Sequence, residues 1–153
     1  MSVHGQFGQD SDFRLNFGRV SEIAYTLLRM VVGLLLLQHG GQKLFGWFGD
    51  AGGTPGATVP LLSQMGLAGV LELLGGAALL VGLYTRTAAF LLSGLLAVAY
   101  FQAHQPHGVM PIQNHGELAV LYSFTCLFLA ARGPGRFGLD GLRHRSRHLR
   151  LIK

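Results

Sequence analysis

The run 23-IAYTLLRMVVGLLLLQHGGQKL-44 decides the fold. It is about as long as the ~20 residues that cross roughly 30 Å of hydrocarbon as an α-helix, and Arg29 and Lys43 are its only charged side chains. Three further apolar stretches follow at 60–83, 87–103 and 116–131. The last two are short for a span, so their ends should reach into the polar interface or the bilayer should thin around them. The expectation is an all-α integral membrane four-helix bundle. Composition agrees, because a water-soluble domain of this size carries about a quarter charged residues. Here 12% are charged and 50% are hydrophobic, and the mean hydropathy is +0.40. The single cysteine, Cys126, sits in an apolar run, which excludes an intrachain disulfide, a Cys-x-x-Cys redox pair and zinc-finger spacing. It reads as a small packing residue.

Charge orients the bundle. Arg14 and Arg19 precede the first span, Arg86 lies between the second and third, and Arg132, Arg136, Arg143, Arg145, Arg147, Arg150 and Lys153 follow the fourth. Lys43 alone falls on the opposite side. The positive-inside rule therefore places both termini in the cytoplasm. The expected division is a cytoplasmic segment 1–22, a membrane domain 23–131 and a basic tail 132–153. The polar head with Asp10, Asp12 and Glu22 does not suit a secretory signal, so the first helix should be retained. The net charge of +5 would fit nucleic acid in a soluble protein, but no nucleic-acid motif is present and the excess is terminal. The tail 143–153 reads either as solvated chain or as an anchor on anionic headgroups.

A short turn around Thr85-Arg86-Thr87 makes the second and third spans antiparallel neighbours. The loop 46–60 reads as an ordered or re-entrant cap with Trp47 and Phe48 at headgroup level. Gly133-Pro134-Gly135 stops the last helix.

Charges at membrane depth cost on the order of 2.5–3.5 kcal/mol and so face the bundle interior, with partners or a task. Counted at about 1.5 Å per residue from the ends of their spans, Arg29 and Glu72 reach matching depths. They are expected to pair, either as a fold-fixing ion pair or in proton or ligand handling. The same count brings His39, His104 and Glu117 to one level near the outer face, with Asn114 and His115 just before Glu117. Small and polar residues recur at helical spacing in Arg29-Gly33-Leu36-Gly40-Lys43, Gly69-Glu72-Gly76 and Ser93-Ala97-Tyr100-His104. These stripes predict an interior pocket opening outward, lined by His39, Lys43, Glu72, Tyr100, His104 and Glu117. Such a pocket suits a quinone or similar apolar electron carrier, with histidine as proton carrier and Glu or Lys as its charge partner. A metal held by His39, His104, His115 and Glu117 is the lesser reading. Capping and interface anchoring account equally for His107 and His115.

The motifs Leu28-Arg29-x-x-x-Gly33, His39-Gly40-x-x-Lys43-Leu44, Gly69-x-x-Glu72-x-x-Gly75-Gly76, Gly82-Leu83-x-Thr85-Arg86, Ala103-His104, Asn114-x-Gly116-Glu117-Leu118-Ala119 and Gly133-Pro134-Gly135 with Leu139-Asp140 together resemble the DoxX family of small bacterial inner-membrane proteins. The resemblance covers residues 21–140 and implies a four-helix membrane bundle with a redox-associated role. It also implies kinship with the DoxD-type small subunit of a thiosulfate:quinone oxidoreductase. Relatives that assemble with superoxide dismutase and a sulfurtransferase would make soluble redox enzymes the partners. His107 and His115 are additional imidazoles against that pattern. The sequence carries no flavin, iron–sulfur or c-type haem motif, so electrons would arrive through a partner or a pocket-bound cofactor. On this reading the chain is a subunit of a quinone-linked oxidoreductase. The competing readings are a non-catalytic membrane scaffold for soluble redox enzymes and a small-solute transporter or binder. The glycine-rich faces suit packing within one copy or a homo-oligomer.

Overall fold

The computed structural model describes residues 4–49 and 56–141, with side chains from residue 16 onward. Its elements are α1 (His4–Phe45), α2 (Gln64–Val81), α3 (Thr85–Ala99), a four-residue α4 (Pro111–Asn114) and α5 (Glu117–Arg132). A π-turn over Tyr100–His104 and a 3-10 turn over Gln105–His107 prolong α3. No strand occurs among the described residues. The stretches Asn16–Phe45, Gln64–Val81 and Thr85–His107 are each long and apolar enough to cross a membrane. With 16 residues α5 is shorter, about 24 Å. The basic tail from residue 142 and the centre of the loop after α1 lie outside the described residues.

Local chemistry sets the helix ends. The first helix runs from His4 to Phe45 and so continues N-terminal to the apolar stretch 23–44, with no proline to interrupt it. The second opens after Pro60, at Ser63, whose hydroxyl accepts the Gly66 N–H at 3.0 Å. It closes at Gly82, in the left-handed region at φ 72°. There the Gly82 and Leu83 N–H groups donate to the Leu79 and Ala78 carbonyls at 3.2 and 2.9 Å, the double bond of a Schellman motif. The turn to α3 is therefore Gly82-Leu83-Tyr84, and Arg86 and Thr87 already belong to the first turn of α3.

The molecule is built from two tight antiparallel pairs, α1 with α2 and α3 with α5, joined along α2 and α3. In the first pair Gly33 and Gly40 face Gly76 and Gly69, all spaced by seven residues. A Cβ on Gly33 would lie 2.7 Å from the Gly76 carbonyl oxygen, and one on Gly40 would lie 2.7 Å from that of Gly69. Only hydrogen fits, so the two backbones touch. In the second pair the Ser123 hydroxyl donates to the Ser93 carbonyl at 3.0 Å. Leu36, Leu79, Leu92, Cys126 and Leu129 fill the centre. Large apolar side chains such as Leu27, Leu74, Phe90 and Phe124 cover the outside. Such a surface would aggregate in water and matches hydrocarbon. The bundle has an arginine end, where α2 and α5 finish and α3 begins, and a histidine end, where α1 finishes and α2 and α5 begin.

Candidate functional site

At the histidine end, the last turns of α1 place His39 and Lys43 four residues apart on one face. Lys43 Nζ forms an ion pair with the carboxylate of Glu72, which is 5% exposed in the α1–α2 seam. This replaces the expected Arg29–Glu72 pair. Measured from the shared end of the bundle, Glu72 lies eight residues into α2 and Arg29 sixteen residues back from Phe45, or about 12 Å against about 24 Å. Matching depth fails because α2 starts at Gln64 instead of Pro60 and the first helix runs on to Phe45. His39 is exposed on the flank of the bundle and meets the Tyr122 ring of α5 edge-on, with centroids 6.5 Å apart. Above it Trp47 folds back onto Gly41, where a Cβ would clash with the indole. The Val59 N–H donates to the Lys43 carbonyl at 3.0 Å, holding the chain ahead of α2 against the end of α1.

A second knot forms where α3 ends. The His104 Nδ1 lies 3.1 Å from the Asn114 carbonyl oxygen. Since a carbonyl only accepts, Nδ1 carries the hydrogen and Nε2 keeps its lone pair in the neutral ring. The Tyr100 ring stacks on His104 at 6.4 Å. Asn114 is buried; its amide donates to the Gly108 carbonyl at 2.7 Å and its Oδ1 accepts the Gly116 N–H at 2.8 Å. A Cβ on Gly116 would lie 2.7 Å from the Tyr100 ring, which explains glycine in the motif Asn114-x-Gly116. Gln64 and Gln102 are hydrogen-bonded across α2 and the π-turn. His115 is exposed with φ 55°, and Glu117 is exposed in the first turn of α5. Thus the structure joins Lys43 to Glu72 and sets His39 a turn away, while Tyr100, His104 and Asn114 form their own group. Among the described residues no three His, Cys, Asp or Glu side chains converge on a metal position.

Arg29 belongs to the arginine end. It is 1% exposed, and its Nη1 donates to the carbonyls of Leu79 and of Leu80, the latter at 3.2 Å. Its counter-charge is the negative C-terminus of α2. Arg86 does the same for α5, with Nη1 donating to Ala130 and Ala131 at 3.0 and 2.6 Å and Nη2 to Arg132 at 3.2 Å. Asp140 returns over the α2–α3 turn: its N–H donates to the Gly82 carbonyl and its Oδ2 accepts the Thr85 N–H, both at 3.0 Å. Glu22 pairs with Arg132 at 2.5 Å, Arg132 lies 4.1 Å over the Tyr25 ring, and the Tyr25 hydroxyl donates to the Gly133 carbonyl. Sequence reasoning gave Glu22, Tyr25 and Asp140 no partners, and it missed Tyr122 beside His39. The signal available for Tyr122 was a phenol within an apolar run.

Apolar helices joined by glycine seams, with cations answered by helix ends, define a multi-helix membrane protein. The chain belongs to the DoxX family, whose family model matches residues 24–105. A Haemophilus influenzae protein of uncharacterised function is 39% identical over 117 residues, covering 74% of this chain and 85% of the relative. The Escherichia coli K12 inner membrane protein YqjF is 30% identical, covering 81% of this chain and 95% of its own. The Mycobacterium tuberculosis membrane protein Rv3486, also uncharacterised, is 32% identical over 74% of this chain and 77% of its own. No solved structure matches the chain.

Proposed function

We propose that this DoxX protein is a redox component of the bacterial inner membrane that takes a quinone, or an apolar electron carrier of that kind, onto the His39 flank of the bundle. The observation that supports this reading most is His39 itself, an imidazole exposed within a membrane-spanning stretch, against Tyr122 and one turn from the Lys43–Glu72 pair. An exposed polar ring in hydrocarbon is unfavourable unless a lipid-soluble molecule brings it a polar group. A quinone has an apolar body and two carbonyl oxygens that accept hydrogen bonds. Its reduction to the quinol takes two electrons and two protons. His39 serves as hydrogen-bond donor and proton carrier, and the Lys43–Glu72 pair as the neighbouring charge. His104, through its free Nε2, Tyr100, Asn114 and Glu117 belong to the same end and form the rim. Electrons come from a soluble partner oxidoreductase. Four crossings, with α5 as the fourth and both termini cytoplasmic, put this flank in the outer half of the bilayer. The relative YqjF, an inner membrane protein, supports the inner membrane as the setting.

Trp47, the sole tryptophan, lies against Gly41 two residues from His39 and reports occupancy. Decylubiquinone added to purified protein in nanodiscs is expected to quench its fluorescence to saturation. His39→Ala should weaken half-saturation about tenfold, the loss of about 1.4 kcal/mol, with helicity retained. Quenching that never saturates, or saturates identically in His39→Ala, overturns the reading.

A further inference from the structure

We infer that the α3–α5 flank at the arginine end binds one anionic phospholipid, with the phosphate on Arg86 and an acyl chain in the groove beneath it. The groove has a volume of about 500 Å³ and is lined by Arg86, Thr87 and Phe90 of α3 and by Leu127, Ala130 and Ala131 of α5. The two strips are antiparallel, so the polar pair Arg86 and Thr87 sits at the helix ends. Phe90 lies one turn deeper, about 6 Å toward the hydrocarbon. Alanines on the α5 side leave the surface recessed there, and Phe90 and Leu127 flank the deeper part of this shallow groove. Polar at the headgroup level and apolar below, the groove has the polarity of a lipid and not of a soluble anion.

Charge selects which lipid. Arg86 makes no salt bridge among the described residues. Its two Nη1 hydrogens and one Nη2 hydrogen go to the three carbonyls that end α5. A guanidinium has five N–H groups, so the Nε–H and the second Nη2–H remain, and these are neighbours that can grip two phosphate oxygens as a fork. The α5 C-terminus offsets only about half of the arginine's charge. The surroundings keep the excess, because Arg29, Arg86, Arg132 and Arg136 gather at this end against Glu22 and Asp140. The three carbonyl bonds also fix the guanidinium in place before a lipid arrives, which removes much of the ordering cost of binding.

Native mass spectrometry of the full chain, released from detergent after titration with phosphatidylglycerol or with phosphatidylcholine of the same acyl chains, tests the assignment. Phosphatidylglycerol should be retained about fivefold better, the factor expected of one arginine at an anionic headgroup. Arg86→Gln should reduce that ratio to about one. Because Arg86 also caps α5, Ala131→Trp provides a second test: its exposed side chain fills the groove and leaves the Arg86 bonds intact, and it too should abolish the preference. Inorganic phosphate should not displace the lipid. Equal retention of the two lipids by the wild type overturns the inference. So does a preference that survives Ala131→Trp, or displacement by phosphate alone.

Discussion

Arg29 shows how a charge can be buried in a membrane bundle on helix-end carbonyls, with no salt bridge of its own among the described residues. Its guanidinium ends on the Leu79 and Leu80 carbonyls, where the last turn of α2 concentrates negative potential. Arg29→Met should remove both charge-assisted bonds and lower stability by on the order of 3 kcal/mol, read as a shift in thermal loss of helicity. Arg29→Lys should recover part of the loss, and an unchanged midpoint for Arg29→Met would show the carbonyls to be satisfied otherwise. Lys43 and Glu72 lend themselves to a double-mutant cycle. Breaking a buried pair costs about 3–5 kcal/mol because one charge is stranded, whereas removing both is nearly neutral. The two single changes should differ, since Lys43 can extend toward the interface when Glu72 is lost, but Glu72, a short side chain in the seam, has no such exit. Lys43→Met is therefore expected to be worse than Glu72→Leu, and the double variant Lys43→Met/Glu72→Leu close to wild type. Equal single effects would place Glu72 in reach of water. That Glu72 needs a partner was legible in the sequence; which partner was not, because an error of four residues in the start of α2 is about 6 Å, nearly half the separation at issue.

Among the elements, the α1–α2 seam was the most legible. Gly33 and Gly40 and, seven residues apart in the same way, Gly69 and Gly76 repeat along helices whose remaining faces are bulky, and a repeat of seven is what keeps two helices in register. Gly40→Ala would press a methyl group against the Gly69 carbonyl, force the backbones apart and cost about 1–3 kcal/mol. Gly94 gives the contrast, for it lies in α3 with nothing within 4 Å of its absent Cβ. Gly94→Ala should stabilise by up to about 1 kcal/mol through helix propensity. Thermal midpoints of the two variants test the seam directly, and destabilisation of similar size at both positions would remove it as the cause. The arginine-end cap was far less legible. Arg29, Arg86 and Asp140 stand in recognisable motifs, but Arg29 and Arg86 bond main-chain carbonyls, and Asp140 bonds the main chain at Gly82 and Thr85. Backbone groups are the same at every position, so no residue identity announces such a partner. The π-turn that brings Tyr100 over His104 was hidden for a similar reason: it is one additional residue in a helical turn, with no letter of its own.

For the molecule as a whole, the question is whether α5 spans the same slab as the other three long helices. Composition alone leaves it short, with 16 residues. Its contacts argue for a full crossing. The C-terminal carbonyls of α5 meet Arg86 in the first turn of α3, and the Tyr25 hydroxyl of α1 reaches Gly133 just beyond it. At the other extreme, Glu117 begins α5 three residues after Asn114, which is tied to Tyr100 and His104 where α3 ends. Both ends of α5 are thus level with the ends of α3, which supports the proposed fourth crossing and makes it testable from the two ends of this pair. Val109 and Phe137 are exposed at opposite ends of this pair, 73% and 60%, and Cys126, the only native cysteine, is buried, so single-cysteine labelling has little background. In intact spheroplasts a membrane-impermeant maleimide is expected to label Val109→Cys. Phe137→Cys should react only after lysis, because the arginines at its end favour the cytoplasmic side. Labelling of both positions from outside would mean that α5 does not cross. Labelling of Phe137→Cys alone would invert the bundle and turn the His39 flank toward the cytoplasm.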